Sequence, residues 1–260
     1  MGDSIDFSQK ALRAIVELRH GDLTRAGWAV KLRDKFDYFT PDVYYETAVE
    51  QLVPQGGAWI EIGGGNAIFP NNKRLAEQLA ARCSRLVGVD PSDNIQSNPY
   101  VHERAQCFLE AYRTETPFDI ATMRMVVEHV AQPEEFVASL AQLVRPGGTV
   151  ILSTVNKWAP MTLASHWTPF GFHVAAKRLL WSTESTDSFP TVYKMNTRSE
   201  LRRLLEGAGF QEMAFLKMDD CRTLARWKWT QWMELALWRA LRSVGLGYPE
   251  QCLLGIYRRA

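Results

Sequence analysis

AWIEIGGGNA at residues 58–67 and LVGVD at residues 86–90 are the stretches that decide the fold of this chain. The first is an apolar run that ends in three glycines, and the second is an apolar run that ends in Asp90. Such a pair predicts two neighbouring parallel strands with a nucleoside pocket at their carboxyl ends. Glycine has no Cβ, so it lets the backbone adopt positive φ and approach a ligand closely. Asp90 is the candidate acceptor for the ribose hydroxyls.

The spacing of the glycines bears on which nucleoside is bound. A dinucleotide fingerprint requires a third glycine three residues after the second, where the helix packs beside the pyrophosphate. Ile68 stands at that position. NAD and FAD therefore fit poorly, although a nucleotide-dependent oxidoreductase of the Rossmann type stays open as an alternative.

Composition argues against several classes of protein. The 260 residues include 30 basic and 29 acidic side chains, a formal charge of +1, which does not favour nucleic acid as a partner. The four cysteines form no CxxC pair, which predicts reduced thiols rather than disulfides or zinc ligands. The N-terminus lacks the pattern of a signal peptide, and no run reaches the roughly 20 apolar residues of a spanning helix. We therefore expect a cytoplasmic protein without stable membrane insertion.

Four segments are expected along the chain. Residues 1–52 are helical in pattern and are predicted to form an N-terminal helical lid, in which Thr40 caps a helix that begins at Pro41. Residues 53–155 form the nucleoside-binding core. Residues 156–195 scatter Trp and Phe among Pro and Ser, and are interpreted as an insertion that faces the substrate. Residues 196–260 complete the sheet and include a long Trp-rich helix.

Short apolar runs alternate with helical stretches through the core and the C-terminal segment. This alternation predicts a parallel sheet covered by helices on both faces. The predicted strands cover residues 59–62, 86–89, 106–109, 118–123, 149–154, 210–216 and 252–257. The predicted helices cover residues 75–82, 136–144, 198–206 and 221–243. Pro146-Gly147-Gly148 is predicted to form the turn before the strand at 149–154.

The stretch from Glu61 to Ala67 resembles motif I of the class I S-adenosylmethionine-dependent methyltransferases. Ala67 stands where that family often has its last glycine. The resemblance implies the Rossmann-like class I methyltransferase fold, an α/β architecture with a mostly parallel seven-stranded sheet and helices on both faces. The N-terminal helical lid and the aromatic insertion after strand five are additions to it. It also implies S-adenosylmethionine as the cofactor and S-adenosylhomocysteine as the product.

The resemblance extends to about residue 155. Glu110 and Ala111 match the acidic and the small residue that the family places at the end of strand three, near the adenine ring. Residues 118–119, Phe-Asp, match the pair that marks strand four. Residues 123–130, MRMVVEHV, are similar to the segment of ubiquinone-pathway O-methyltransferases that lies beside the methionine moiety of the cofactor. Residues 143–149 resemble the turn into strand five.

These matches imply a set of site residues. The expected cofactor-binding residues are Glu61, Gly63, Gly64, Gly65, Asn66, Asp90, Pro91, Ser92, Glu110, Ala111, Arg124 and Met125. The expected substrate-binding residues are Tyr44, Trp167, Phe170 and Tyr193, and the histidines considered as catalytic bases are His129, His166 and His173. No metal is expected, because Met125 stands where some relatives have the third acidic ligand.

Several of these residues also have a structural explanation. The alternatives are a helix cap for Asp90, a surface carboxylate for Glu110, an ion pair for Arg124 and simple packing for His129. The two histidines of the insertion lie among aromatic residues that form either a substrate pocket or a small separate core.

The Trp-rich stretch at 221–243 has apolar residues at helical spacing together with basic ones. Basic, Trp-rich helices can lie on membranes. Packing across the sheet and the insertion explains the same pattern, and so does a dimer interface. All three interpretations stay open.

The features together predict a methyltransferase of secondary metabolism that acts by direct SN2 transfer on a small-molecule acceptor. The acceptor atom is expected to be oxygen or nitrogen, with carbon left open, because S-adenosylmethionine supplies its own leaving group and needs mainly an aligned nucleophile. Aromatic walls favour an aromatic or heterocyclic acceptor. A noncatalytic S-adenosylmethionine-binding protein is a further alternative, and a homodimer is left open.

Overall fold

Seven strands form one sheet in the computed structural model, which describes residues 5–160, 162–163 and 189–260. The strands are β1 (Ala58–Ile62), β2 (Arg85–Val89), β3 (Glu103–Ala105), β4 (Phe118–Arg124), β5 (Val144–Val155), β6 (Phe210–Asp219) and β7 (Glu250–Arg259). The helices are α1 (Gln9–His20), α2 (Trp28–Lys35), α3 (Pro41–Leu52), α4 (Lys73–Arg82), α5 (Pro133–Leu143), α6 (Arg198–Gly207) and α7 (Lys228–Ser243).

The order of the strands explains where a ligand binds. The sheet runs β3-β2-β1-β4-β5-β7-β6; the first five strands are parallel, and β7 is antiparallel to both of its neighbours. The prediction of a mostly parallel sheet is confirmed. The chain order reverses between β1 and β4, and in open α/β sheets ligands bind beyond the carboxyl ends of the strands at such a switch point.

Apolar side chains cover both faces of the sheet. Trp59 and Ile60 follow each other in β1, are both 0% exposed and belong to different apolar clusters. One cluster includes buried residues of α1, α3 and α4, and the other includes buried residues of α5 and α6. Full burial of each large apolar side chain contributes roughly 1.5–3 kcal/mol. Burial on both faces explains why β1 reads as a continuous apolar run rather than as an alternating one.

The N-terminal segment is helical, as predicted, and α3 begins at Pro41. Thr40 is the N-cap residue of α3, as predicted, but its hydroxyl makes no capping hydrogen bond. Proline at the first helical position has the right φ and lacks an N–H that would need a partner, so the helix starts without that cap. The role of these helices as a lid stays a prediction.

The third strand is shifted from its predicted place. The prediction put it at residues 106–109, but β3 covers Glu103–Ala105 and pairs with residues 87–89 of β2. The Asp90 N–H donates to the Ala105 carbonyl (3.1 Å), and pairing ends there. Residues Leu109–Ala111 form a short 3₁₀ turn instead.

Two further boundaries differ from the prediction. The Trp-rich helix begins at Lys228 rather than near residue 221, because the Thr230 hydroxyl donates to the Leu224 and Trp227 carbonyls and holds the preceding turn. Residues 146–148 lie inside β5 as an irregularity rather than before it, since Val144 pairs with β4 ahead of them.

None of the helices in the part of the chain that the structure describes has the length and apolar character needed to cross a bilayer.

Candidate functional site

A cavity of about 760 Å³ opens at the carboxyl ends of β1, β2 and β4. This volume lies within the roughly 300–1,000 Å³ that small-ligand sites occupy. Predicted residues that line it are Gly63, Gly65, Asp90, Pro91, Ser92, Glu110, Met125 and His129. The sequence motifs and the topological switch point therefore indicate the same place.

The glycine loop forms one wall of the cavity. Gly63 has φ +70° and Gly65 has φ +42°, conformations that side chains other than glycine rarely adopt. A Cβ on Gly63 would lie 2.3 Å from the Cγ2 of Val126, which also lines the cavity. Any side chain at residue 63 would therefore clash with Val126 and change the shape of the cavity.

Asn98 supports the glycine loop from behind and was not identified from the sequence. Its side chain is 0% exposed, and its amide group donates to the Gly64 carbonyl (3.1 Å) and the Gly65 carbonyl (3.2 Å). The polar stretch around it, PSDNIQSNPY at residues 91–100, contains nothing that distinguishes this asparagine from its neighbours. Its role depends on a contact between the segment after β2 and the glycine loop after β1, which the sequence does not reveal.

Asp90 stands directly after β2, at the mouth of the cavity. One carboxylate oxygen accepts a hydrogen bond from the Gly65 N–H (2.9 Å) and the other accepts one from the Ser92 N–H (2.8 Å). Ser92, not Asp90, is the N-cap of the following 3₁₀ turn. Each carboxylate oxygen can accept more than one hydrogen bond, so Asp90 retains acceptor capacity for a ligand.

Glu61 lies at the buried side of the loop and is not part of the cavity lining. Its side chain accepts a hydrogen bond from the Thr122 hydroxyl, which in turn accepts one from the Trp59 indole (2.5 Å). Burial raises the pKa of Glu61 to about 8, although Thr122 and Arg124 act in the opposite direction. Glu61 is therefore largely protonated in the fold at neutral pH.

We expect the Glu61 carboxyl to make folding stability fall as pH rises from about 5 to about 8. The unfolded chain releases this proton above its ordinary pKa of 4.5, whereas the folded chain keeps it up to about 8, so the folded state binds more protons in that window. Urea unfolding at several pH values measures this effect. Between about pH 5 and pH 8, the free energy of unfolding of Glu61→Gln should decline by up to roughly 4 kcal/mol less than that of the unaltered chain.

The control for this prediction is Glu77→Gln, which alters an exposed carboxylate on α4. It should leave the slope of stability against pH as it is in the unaltered chain. An unchanged slope in Glu61→Gln would mean that Glu61 is ionised in the folded protein.

His129 lines the cavity and shares an aromatic neighbour, Phe189, with Phe108. The ring of Phe189 contacts Phe108 and His129, each with ring centroids 6.4 Å apart, and His129 Nδ1 lies 3.2 Å from the Pro190 carbonyl. Glu110 lines the same cavity. Phe189 and Pro190 belong to the predicted insertion, so the described part of that segment does reach the cavity.

Arg124 forms an ion pair rather than lining the cavity. Its guanidinium lies 3.6 Å from a carboxylate oxygen of Asp42 at the start of α3, and Arg222 lies 2.7 Å from the other oxygen. Burial alone raises the pKa of Asp42, but the Arg222 and Arg124 charges outweigh it and lower that pKa. The pairs connect the end of β4 to the N-terminal helices and to the segment after β6.

The remaining predicted site residues do not line the cavity or lie outside the described residues. Tyr44 packs against Phe7 with ring centroids 5.9 Å apart. The predicted residues absent from the lining are Glu61, Gly64, Asn66, Ala111, Arg124, Tyr44 and Tyr193. The residues outside the described part of the chain are His166, Trp167, Phe170 and His173. Their assigned roles stay predictions.

The structure adds lining residues that the motifs did not single out. These are Ile62, Val89, Asn94, Cys107, Phe108, Leu109, Val126, Val130, Ala131, Gln132, Glu135, Phe136, Phe189 and Pro190. Five of them directly precede or follow a predicted residue, namely Ile62, Val89, Leu109, Val126 and Val130, and no motif signals the other nine.

A second cavity of about 320 Å³ lies beneath the N-terminal helices. Three arginines line it, namely Arg19, Arg33 and Arg222. Arg19 pairs with Glu46, and Arg222 pairs with Asp42 and Asp220, whereas Arg33 forms no ion pair with a described residue. Asp34 also lines this cavity and pairs with Arg13, so Arg33 is the one arginine of the lining without an ion pair to a described residue.

Within the described ranges, no group of three or more His, Cys, Asp or Glu side chains is arranged to hold a metal ion.

Glu128 is 4% exposed and accepts a hydrogen bond from the Thr154 hydroxyl (2.8 Å). Its backbone carbonyl accepts from the Val192 N–H (2.8 Å). Glu128 thus ties β5 to the end of the insertion.

Residues 38–213, more than half of the chain, match a family model described as a methyltransferase domain. The chain is also similar to ubiquinone biosynthesis O-methyltransferases. That of Aromatoleum aromaticum is 36% identical over 110 residues, which cover 38% of this chain and 44% of the relative. That of Rhizobium etli is 32% identical over 131 residues, which cover 44% of this chain and 50% of the relative. The chain spans about half the length of the curated relatives it matches.

A solved S-adenosylmethionine-dependent methyltransferase from Mesorhizobium loti has a similar fold. The superposition covers 83% of this chain and 98% of that chain with a TM-score of 0.51, at 20% sequence identity. At this identity the likeness concerns the fold alone.

Proposed function

Because the chain belongs to the class I S-adenosylmethionine-dependent methyltransferase family, we propose that it transfers the methyl group of S-adenosylmethionine to a small-molecule acceptor. This proposal rests on one observation. The Gly63–Gly65 loop, Asp90 and Met125 lie around one cavity at the end of β1. An oxygen or nitrogen atom of the acceptor receives the methyl group. The names of the O-methyltransferase relatives favour oxygen.

The residues of the cavity fit the proposed cofactor. Gly63 and Gly65 have positive φ, and a side chain at residue 63 would fill the space beside Val126. Asp90 supplies a carboxylate with acceptor capacity for the ribose hydroxyls. When bound, S-adenosylmethionine supplies an electrophilic methyl group on a sulfonium leaving group. The protein's own contribution is to orient the reactants and exclude water from them.

We place His129 in the wall around the adenine ring rather than in the role of general base. Its contacts with Phe189 and Pro190, together with the contact of Phe189 with Phe108, support this position. His129→Phe should keep the transfer rate within about threefold, because an aromatic wall is retained, and His129→Ala should weaken binding of S-adenosylhomocysteine. Isothermal titration and a labelled-methyl assay measure the two effects.

A rate loss of about 100-fold in His129→Phe, with cofactor affinity unchanged, is the signature of a missing general base. The loss of an acidic limb from the pH–rate profile would accompany it. Together those results would return His129 to the catalytic role.

The cavity beneath the N-terminal helices, which Arg33 lines without an ion pair to a described residue, is the proposed acceptor side. It is linked to the end of β4 through Asp42, which pairs with both Arg222 and Arg124, next to Met125 of the cofactor cavity. Arginines bind carboxylates and phosphates through their fixed arrangement of donors. We therefore favour an acceptor with an acidic group, on an aromatic or heterocyclic frame.

Two measurements test the proposed function. A binding titration should give affinity for S-adenosylmethionine and S-adenosylhomocysteine and none for NAD or NADP. Methyl-labelled S-adenosylmethionine, incubated with the protein and a metabolite extract, should transfer label to a small acidic compound. Binding of NAD instead would overturn the cofactor. Cofactor binding without label transfer to any component would favour the noncatalytic alternative.

A further inference from the structure

The outer face of α7 exposes an unusual amount of apolar surface. Trp229, Trp232, Met233 and Leu237 are 64%, 51%, 55% and 54% exposed. Their spacing of three, one and four residues places them on one side of the helix. Trp227, directly before the helix, is also 49% exposed.

The fold itself uses the other side of α7. Leu235 and Trp238 are buried in a cluster with Leu32, Phe36 and Tyr38, on and just after α2. The Trp238 indole donates to the Asp219 carboxylate (2.7 Å), which ties the helix to the end of β6. Since these contacts hold the helix, packing of the core does not explain the tryptophans on its outer side.

Charge indicates what covers this face. Between residues 222 and 249 the chain has five basic side chains and one acidic side chain, Glu234. Glu234 is 3% exposed and accepts hydrogen bonds from the Leu224 N–H and the Tyr248 hydroxyl, both at 3.0 Å. The only carboxylate of the segment is thus turned inward, and the outer surface of α7 is left apolar and basic.

Lys228 and Arg239 lie along one border of this face, and Arg242 lies towards the packed side of the helix. The Arg239 guanidinium stacks on Phe36 at 4.5 Å from the ring centroid, and the Arg242 guanidinium stacks on Trp238 at 5.0 Å. Lys228 is exposed in the first turn of the helix. An exposed apolar stripe bordered by basic residues is the pattern of helices that lie in the interface of an anionic bilayer.

We propose that α7 binds the surface of membranes rich in anionic lipid, with Trp229, Trp232, Met233 and Leu237 inserted among the acyl chains. A second copy of the chain is disfavoured as the occupant, because a symmetric contact would bring two basic borders together. The attachment is peripheral, since α7 has only 16 residues. It does not depend on which reaction the protein catalyses.

Co-sedimentation with vesicles tests this inference. The full chain should pellet with vesicles of phosphatidylglycerol and phosphatidylcholine, should pellet far less with phosphatidylcholine alone, and should be released by salt. The double variant Trp229→Ser/Trp232→Ser should lower the partition coefficient by about tenfold or more. Trp158→Ser removes an equally exposed tryptophan (64%) outside α7 and should leave partition unchanged.

A charge variant and a mass measurement complete the test. Lys228→Glu replaces an exposed base at a helix N-terminus, where an acid is favoured, so it should weaken binding to anionic vesicles without unfolding the helix. Equal binding to neutral and anionic vesicles, or no binding to either, would overturn the inference. So would a dimer in solution that the tryptophan pair maintains, because the face would then be covered by a second copy.

Discussion

Asp90→Asn should lower the affinity for S-adenosylmethionine by about 10–100-fold and the folding stability by roughly 1–3 kcal/mol. Both carboxylate oxygens of Asp90 already accept a backbone N–H, from Gly65 and from Ser92. The variant replaces one of these oxygens with an NH₂ group, which is a donor and faces another donor. It also removes the negative charge that strengthens hydrogen bonds from ribose hydroxyls.

Isothermal titration of S-adenosylmethionine and of S-adenosylhomocysteine measures this loss, and thermal unfolding reports whether the fold is kept. Asp93→Asn is the matched control, because Asp93 is an exposed carboxylate three residues along the chain that does not line the cavity. It should leave both affinities unchanged. If Asp90→Asn bound the cofactor as tightly as the unaltered chain, the carboxylate would serve only to hold the loop.

Gly63→Ala should both destabilise the fold and abolish measurable cofactor binding. The left-handed conformation costs an alanine roughly 1–2 kcal/mol, and a Cβ that lies 2.3 Å from Val126 adds an overpacking cost of roughly 1–3 kcal/mol. Because Val126 lines the cavity, any shift that relieves the contact changes the ligand space. Urea unfolding and titration of S-adenosylmethionine measure the two losses.

The chain contains a control that separates backbone strain from the steric contact. Gly56 has φ +71°, nearly that of Gly63, and a Cβ there would meet nothing within 4 Å. Gly56→Ala should therefore lose only the roughly 1–2 kcal/mol of conformational cost and keep full affinity. The double variant Gly63→Ala/Val126→Ala should regain part of the stability of the single variant. An unaltered affinity in Gly63→Ala would show that the loop does not shape the site.

Most of the sheet could be predicted because local pattern and tertiary role agree there. Apolar residues predominate in β1, β2 and β4 without strict alternation, since both faces of these strands are buried. The third strand lies three residues before its predicted place, because it is short, two of its three residues are exposed charged side chains, and its extended form depends on pairing with β2. The helix α7 begins later than predicted, because Thr230 makes hydrogen bonds to carbonyls of the turn just before it, which helical periodicity does not reveal.

The cofactor side of the site was also accessible from sequence, because its residues follow directly on strands. Gly63, Asp90 and Met125 each stand at the carboxyl end of a strand, and a parallel sheet brings such ends together. The role of Arg124, in contrast, could not be predicted from the sequence. Its choice between a ligand and an ion pair depends on Asp42, which lies 82 positions earlier in the chain and meets it only through the packing of α3.

The sequence alone therefore established the family resemblance, the location of most strands along the chain and the loop that lines the cavity, because glycine conformation and strand periodicity are local properties. Tertiary structure alone decided the support of the loop by Asn98, the position of His129 beside Phe189, and the pairing of Arg124 with Asp42. It also decided which side of α7 stays exposed. These features depend on contacts between distant parts of the chain, and no periodicity or motif records such contacts.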